Sequence, residues 1–102
     1  MTSILVLFNL KPDAVTSDYE NWAKAKDIPI VKSLKSVNDF KVFKMGNLLG
    51  SENKSPYQYA EIIEVKNMDD FFKDLTNEEV QAGAKQFSEF ADNPLFIVAN
   101  QL

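Results

Sequence analysis

An uninterrupted apolar run, Ser3 to Leu10 (SILVLFNL), opens the chain and stops at Lys11-Pro12-Asp13. A run apolar on both faces predicts a central strand covered from both sides. Ser17 and Glu20 then make a capping-box pattern, with Tyr19, Trp22, Ala23 and Lys26 at helical spacing. Asp27-Ile28-Pro29 predicts a break and a restart. Pro29 disfavours helical geometry at Ile28, and Asp27 is placed to cap a second short helix running to about Leu34. Val37 to Met45 alternates imperfectly and reads as a strand. The polar, turn-rich segment Gly46 to Pro56 is long for a hairpin and reads either as a solvated loop or as a lid.

Tyr57 to Val65 (YQYAEIIEV) is the third strand. Asn67 is expected to cap a short helix through Leu75. Thr76 and Glu79 suggest a capping box for a helix to about Ala91, with Val80, Ala84, Phe87 and Ala91 as its apolar stripe and Phe90 beside it. Asp92-Asn93-Pro94 should stop that helix, leaving Leu95 to Asn100 as the last strand. The order is β-α-β-β-α-β. With right-handed crossovers it gives an α+β, ferredoxin-like fold, a four-stranded antiparallel sheet with its helices on one face. The other face then has nothing in one chain to cover it, yet Ile4, Val6, Phe8 and Leu10 alternate with Leu5 and Leu7. An open apolar sheet face of that size is abnormal for a monomer. The expected remedy is a homodimer, sheet against sheet.

Composition narrows the chemistry. The 102 residues carry a net charge of −4, with 45% apolar and 25% charged residues, as in ordinary single globular domains. Neither a membrane span nor a signal peptide fits the N-terminus, and a cytoplasmic location is expected. No basic stripe with interleaved aromatics suggests nucleic acid. Cysteine is absent, which removes thiol nucleophiles, disulfides and thiolate metal sites. Histidine is absent too, so acid–base work would fall to Asp, Glu, Lys, Tyr or water. The acidic pairs Asp69-Asp70 and Glu78-Glu79 fall in first helical turns, where the helix dipole favours them. No metal is expected there, and the three glycines are too scattered to cradle a phosphate.

Polar residues interrupting apolar strand faces are the candidates, since burying one unpaired costs about 1–3 kcal/mol. Glu61 shares a strand face with Tyr57, Tyr59, Ile63 and Val65. Ala60 and Ile62, on the other face, look better suited to packed helices, which assigns Glu61 and the tyrosines to the opposite, barrel side. A carboxyl group among aromatic rings has the raised pKa that a general acid or base needs. The plainer role for Glu61 is an ion pair with a strand neighbour such as Lys41. Asn9 interrupts the first strand and either orients a ligand or begins a turn. Asp27 either caps a helix or faces a pocket. Tyr19, Trp22, Phe87 and Phe90 are core residues first and cavity walls second.

Four segments together carry a family resemblance: ILVLFNLKP, YENWAKAKDIPIVKSL, YQYAEIIEV and FADNPLFIV. They span nearly the whole chain and resemble the RedY-like proteins of prodiginine pigment gene clusters, within the dimeric α+β barrel superfamily. The resemblance implies a homodimer acting in bacterial secondary metabolism on a pyrrole-containing, apolar aromatic ligand. Superfamily members that use a cavity histidine are no template for this chain. The leading expectation is a cofactor-free enzyme assisting a dehydration or condensation, with Glu61 and either Tyr59 or Asp27 exchanging protons. Asn9, Trp22, Tyr19 and Phe87 would contact the ligand. Two alternatives remain open: a non-catalytic carrier of an unstable intermediate, and a cofactor-independent monooxygenase.

Overall fold

The apolar run at the N-terminus becomes β1 (Thr2–Leu10), hydrogen-bonded on both edges. The computed structural model describes residues 1–102. β1 is followed by α1 (Thr16–Trp22), a π-helical stretch (Ala23–Asp27), α2 (Ile28–Lys32), β2 (Val37–Lys44), β3 (Tyr59–Val65), α3 (Met68–Asp74), α4 (Glu78–Phe90) and β4 (Ala91–Asn100). The strands form one four-stranded sheet in the order β2-β3-β1-β4, every pair antiparallel. This is the expected ferredoxin-like arrangement.

Ile4, Val6, Phe8 and Leu10 alternate inward from β1 and are buried. They join Phe40 of β2, Tyr59 and Val65 of β3, and Tyr19, Ala23 and Phe71 of the helices in one core. Phe8 lies at its centre, stacked on Tyr59 at 5.5 Å and met edge-on by Tyr19 at 5.6 Å and Phe87 at 4.9 Å. The opposite sheet face carries Leu5, Leu7, Ala60, Ile62, Phe43, Leu95 and Ile97, with the last three between 42% and 45% exposed.

Four local expectations are corrected. Ser17 and Glu20 form no capping box, because α1 begins at Thr16 and Glu20 is engaged by Tyr59 and Lys44. The break at Asp27-Ile28-Pro29 is instead a continuous helix with one widened turn, in which the Ile28 amide donates to the Ala23 carbonyl. Pro29 explains the widening, since it has no N–H to offer and its ring would crowd the carbonyl of Ala25. Asp27 therefore keeps helical geometry and makes no cap.

At α4 the cap is Asn77, whose side chain accepts from the Glu79 and Val80 amides, while Thr76 donates to the Lys73 carbonyl. Asn67 caps α3 as expected. Finally, Asp92-Asn93-Pro94 does not separate helix from strand. β4 starts at Ala91 and absorbs the tripeptide at a bulge opposite Leu7 to Asn9, with Asn93 at φ 45°. Asn tolerates that left-handed geometry better than most residues.

Candidate functional site

Glu61 is the charged residue of the core, 5% exposed and paired in register with Val6 on β1 and Val42 on β2. Strand alternation thus turns it under the helices, on the face of Phe8 and Tyr59. This reverses the expected placement on the barrel side. The aromatic rings decide the matter: Tyr59 packs on Phe8 and Tyr19, and a residue two positions along the strand must share that face. The Lys41 pairing also fails, because Lys41 lies opposite Ile62 and pairs with Asp39 at 3.6 Å.

A cavity of about 640 Å³ opens between this sheet face, the first helical segment and α4. Trp22, Asp27, Phe40, Glu61, Gly83 and Phe87 are among its lining residues. The π-helical turn brings Asp27 to it, and π-turns inside helices are frequent at functional sites. The Tyr19 phenol donates to one Glu61 oxygen across 3.5 Å. No lysine forms an ion pair with either cavity carboxylate; the three ion pairs involve Asp39 and Glu20.

Electrostatics separate the two acids. Desolvation pushes Glu61 up to about 8, the nearby Asp27 charge adds to the rise, and the Tyr19 hydrogen bond opposes it. Desolvation alone pushes Asp27 up to about 6. Of the two, Glu61 is held further toward its protonated form, and Asp27 ionises more readily. Two acids driven apart by their surroundings are the arrangement from which acid and base roles follow. Tyr19 is raised further above its ordinary value, first by burial and then by Glu61, so it stays a neutral donor.

A family model described as REDY-like protein HapK matches residues 2–102. The chain belongs to this HapK family of REDY-like proteins. Among solved structures, HapK from Hahella chejuensis is similar at 25% identity and a TM-score of 0.76, over 100% of this chain and 93% of that one. The Arabidopsis thaliana protein At3g17210 superposes with a TM-score of 0.81 at 13% identity, over 100% and 96% of the two chains, a likeness of fold alone. A protein of unknown function from Bacteroides fragilis, described as dimeric and ferredoxin-like, shares 19% identity with a TM-score of 0.67, over 98% and 95%. No curated protein matches by sequence. No helix is long and apolar enough to cross a membrane.

Of the residues singled out in this HapK-family sequence, Glu61, Asp27, Trp22 and Phe87 line the one cavity. Tyr19 stands behind it and touches Glu61. Tyr59 does not reach it. Its hydroxyl points the other way and donates to Glu20 at 2.6 Å, and Glu20 in turn holds Lys44 at 3.0 Å. Asn9 is also turned elsewhere, donating to the Pro56 carbonyl at 3.1 Å and accepting from the Gln58 amide at 2.9 Å. Both ends of its amide tie β1 to the residues just before β3, which is a structural use.

The segment 46–56 is folded on itself by the Asn47 to Lys54 bridge, with Gly50 at φ 74° making the turn. None of its residues lines this cavity. Phe40, Ile63 and Gly83 are lining residues that were not singled out. Pairing Phe40 with Ile63, two positions from Glu61, was the signal that would have found the first two.

Proposed function

We propose that this chain is a cofactor-independent acid–base enzyme of pigment-type secondary metabolism. It assists loss of water from a flat, apolar, nitrogen-containing aromatic intermediate, either in a simple dehydration or at the end of a condensation. The observation that carries this reading is the pair of carboxyl groups, Glu61 and Asp27, on one aromatic-walled cavity with different proton affinities. The link to pyrrole pigments comes from the family resemblance and the match to REDY-like proteins.

In the proposed step Glu61 gives its proton to the hydroxyl of a heteroaryl carbinol. The C–O bond breaks with both electrons leaving on oxygen, and water departs. The cationic ring system then loses a proton from nitrogen or the adjacent carbon to Asp27. Proton return from Asp27 to Glu61 through water resets the pair. Each transfer is ordinary general acid–base catalysis, worth about 10²–10⁴-fold in rate.

We further propose that the functional unit is a homodimer joined through the open sheet face. Its half-exposed Phe43, Leu95 and Ile97 support this, as do neighbours from Bacteroides fragilis and Thermobifida fusca that are described as dimeric.

A carrier role is the competing reading, favoured by a site with no histidine or cysteine to move protons or attack a ligand. The deciding experiment follows water loss from a pyrrolyl aryl carbinol by absorbance, with wild type and Glu61→Gln. The enzyme reading expects a rate falling at least tenfold in the variant, without oxygen uptake. An unchanged rate removes Glu61 from the chemistry. Binding without turnover in the wild type selects the carrier.

A further inference from the structure

Glu61 and Asp27 face the cavity, and neither forms an ion pair. Glu61 receives one long hydrogen bond, from Tyr19 at 3.5 Å, and its other oxygen is not an unpartnered buried atom but is left accessible. Asp27 takes part in no side-chain hydrogen bond or ion pair. Lys26 and Glu79 are the other charged lining residues, one of each sign, so the four charged side chains hold three acids to one base. The remaining imbalance is negative. Around it stand the faces and edges of Trp22, Phe40 and Phe87. Aromatic rings attract cations, and most strongly where water is excluded.

A neutral hydrocarbon in this space would strip water from both carboxyl groups and give nothing back. An anionic ligand would add a further negative charge. A planar ring whose conjugated nitrogen carries positive charge satisfies both features, with its faces on the aromatic walls and its charge toward the acids.

We propose that the cavity binds its aromatic ligand as a cation, its charge on a ring-conjugated nitrogen, with the Glu61–Asp27 pair as counter-charge. The inference rests on the reading of this cavity as the functional site and names the charge of what occupies it. The same counter-charge favours the cationic ring system formed when water leaves.

Three two-ring probes of different charge test it: 2-aminoquinoline, protonated near neutral pH, 2-naphthol, neutral, and 2-naphthoate, an anion. Calorimetry at pH 6.5 gives affinities, and the indole N–H resonance of Trp22, the sole tryptophan, reports whether the cavity is occupied. The expected result is 2-aminoquinoline binding at least tenfold more tightly than 2-naphthol, with no binding of 2-naphthoate. That preference should vanish in Glu61→Gln/Asp27→Asn, whose side chains keep the shape and cannot ionise. Equal affinities for the cation and the neutral probe in the wild type, with the Trp22 resonance shifted by both, would overturn the charge preference while leaving the cavity as a binding site. A Trp22 resonance unmoved by any probe would overturn both readings.

Discussion

The Tyr19 hydroxyl and the Glu61 carboxyl group meet at 3.5 Å beneath the first helical segment, both in the buried core. The rings of Phe8, Tyr59 and Phe90 hold Tyr19 in place, at centroid distances of 5.6, 4.8 and 5.6 Å. Glu61 is thereby oriented by a side chain that cannot itself ionise in the ordinary pH range. Behind the acid the site is rigid and apolar, and in front of it lies the cavity.

Stability should fall as pH rises. Glu61 has a folded-state pKa of about 8 against an ordinary value of 4.5, and Asp27 about 6 against 3.8. Between those limits the folded chain holds protons that the unfolded chain has released. The stabilisation is therefore complete below about pH 4 and is lost through pH 8, by an amount on the order of a few kcal/mol. Thermal melts from pH 4 to 9 should show this decline, and Glu61→Gln should flatten most of it. A melting temperature that rises over pH 4.5–8 would contradict the two raised affinities.

Gly83 in α4 faces open space, since a Cβ built there meets nothing within 4 Å. Gly83→Ala should raise stability by about 0.5–1 kcal/mol through helix propensity alone. Gly83→Leu should instead fill part of the cavity, leave the fold intact and weaken binding of aromatic probes at least fivefold. Denaturant melts and calorimetry check the two halves separately.

Tyr59→Phe separates the two tyrosines. It removes the hydrogen bond to Glu20 and should cost about 1 kcal/mol of stability. Because that hydroxyl points away from the cavity, the titration of Glu61 and the affinity for cavity ligands should stay as in the wild type. A loss of turnover in this variant beyond about twofold would give Tyr59 back a chemical role.

The β-α-β-β-α-β order was legible because each apolar run is bounded by turn residues, such as Lys11-Pro12-Asp13 and Asn67. Glu61 was legible as well, as a charge interrupting an apolar strand. Its face was not, because a period of two says which residues lie together and not which side the helices choose. Ala60 and Ile62 looked the easier surface for packed helices, but the Phe8–Tyr19–Tyr59 cluster buries more and sets the inside. The widened turn before Pro29 was hidden for a related reason. Proline marks a conflict in the helix and leaves open whether the chain breaks or opens by one residue.

Dimerisation should run through the open sheet face. Ile97→Asp places a charge opposite Leu5, amid that face, and should convert a dimer to a monomer in sedimentation. Lys54→Asp, on the 46–56 segment, should leave the mass unchanged. A monomeric wild type at high micromolar concentration would contradict the homodimer.

The most direct measurement is a pH titration of the Glu61 and Asp27 side-chain carboxyl carbons by NMR, in wild type and in each single amide variant. The acid–base account predicts Glu61 titrating near 8 and Asp27 near 6, with Asp27→Asn lowering the Glu61 value as the neighbouring charge is removed. Glu61 titrating near 4.5, with no response to Asp27→Asn, would contradict it.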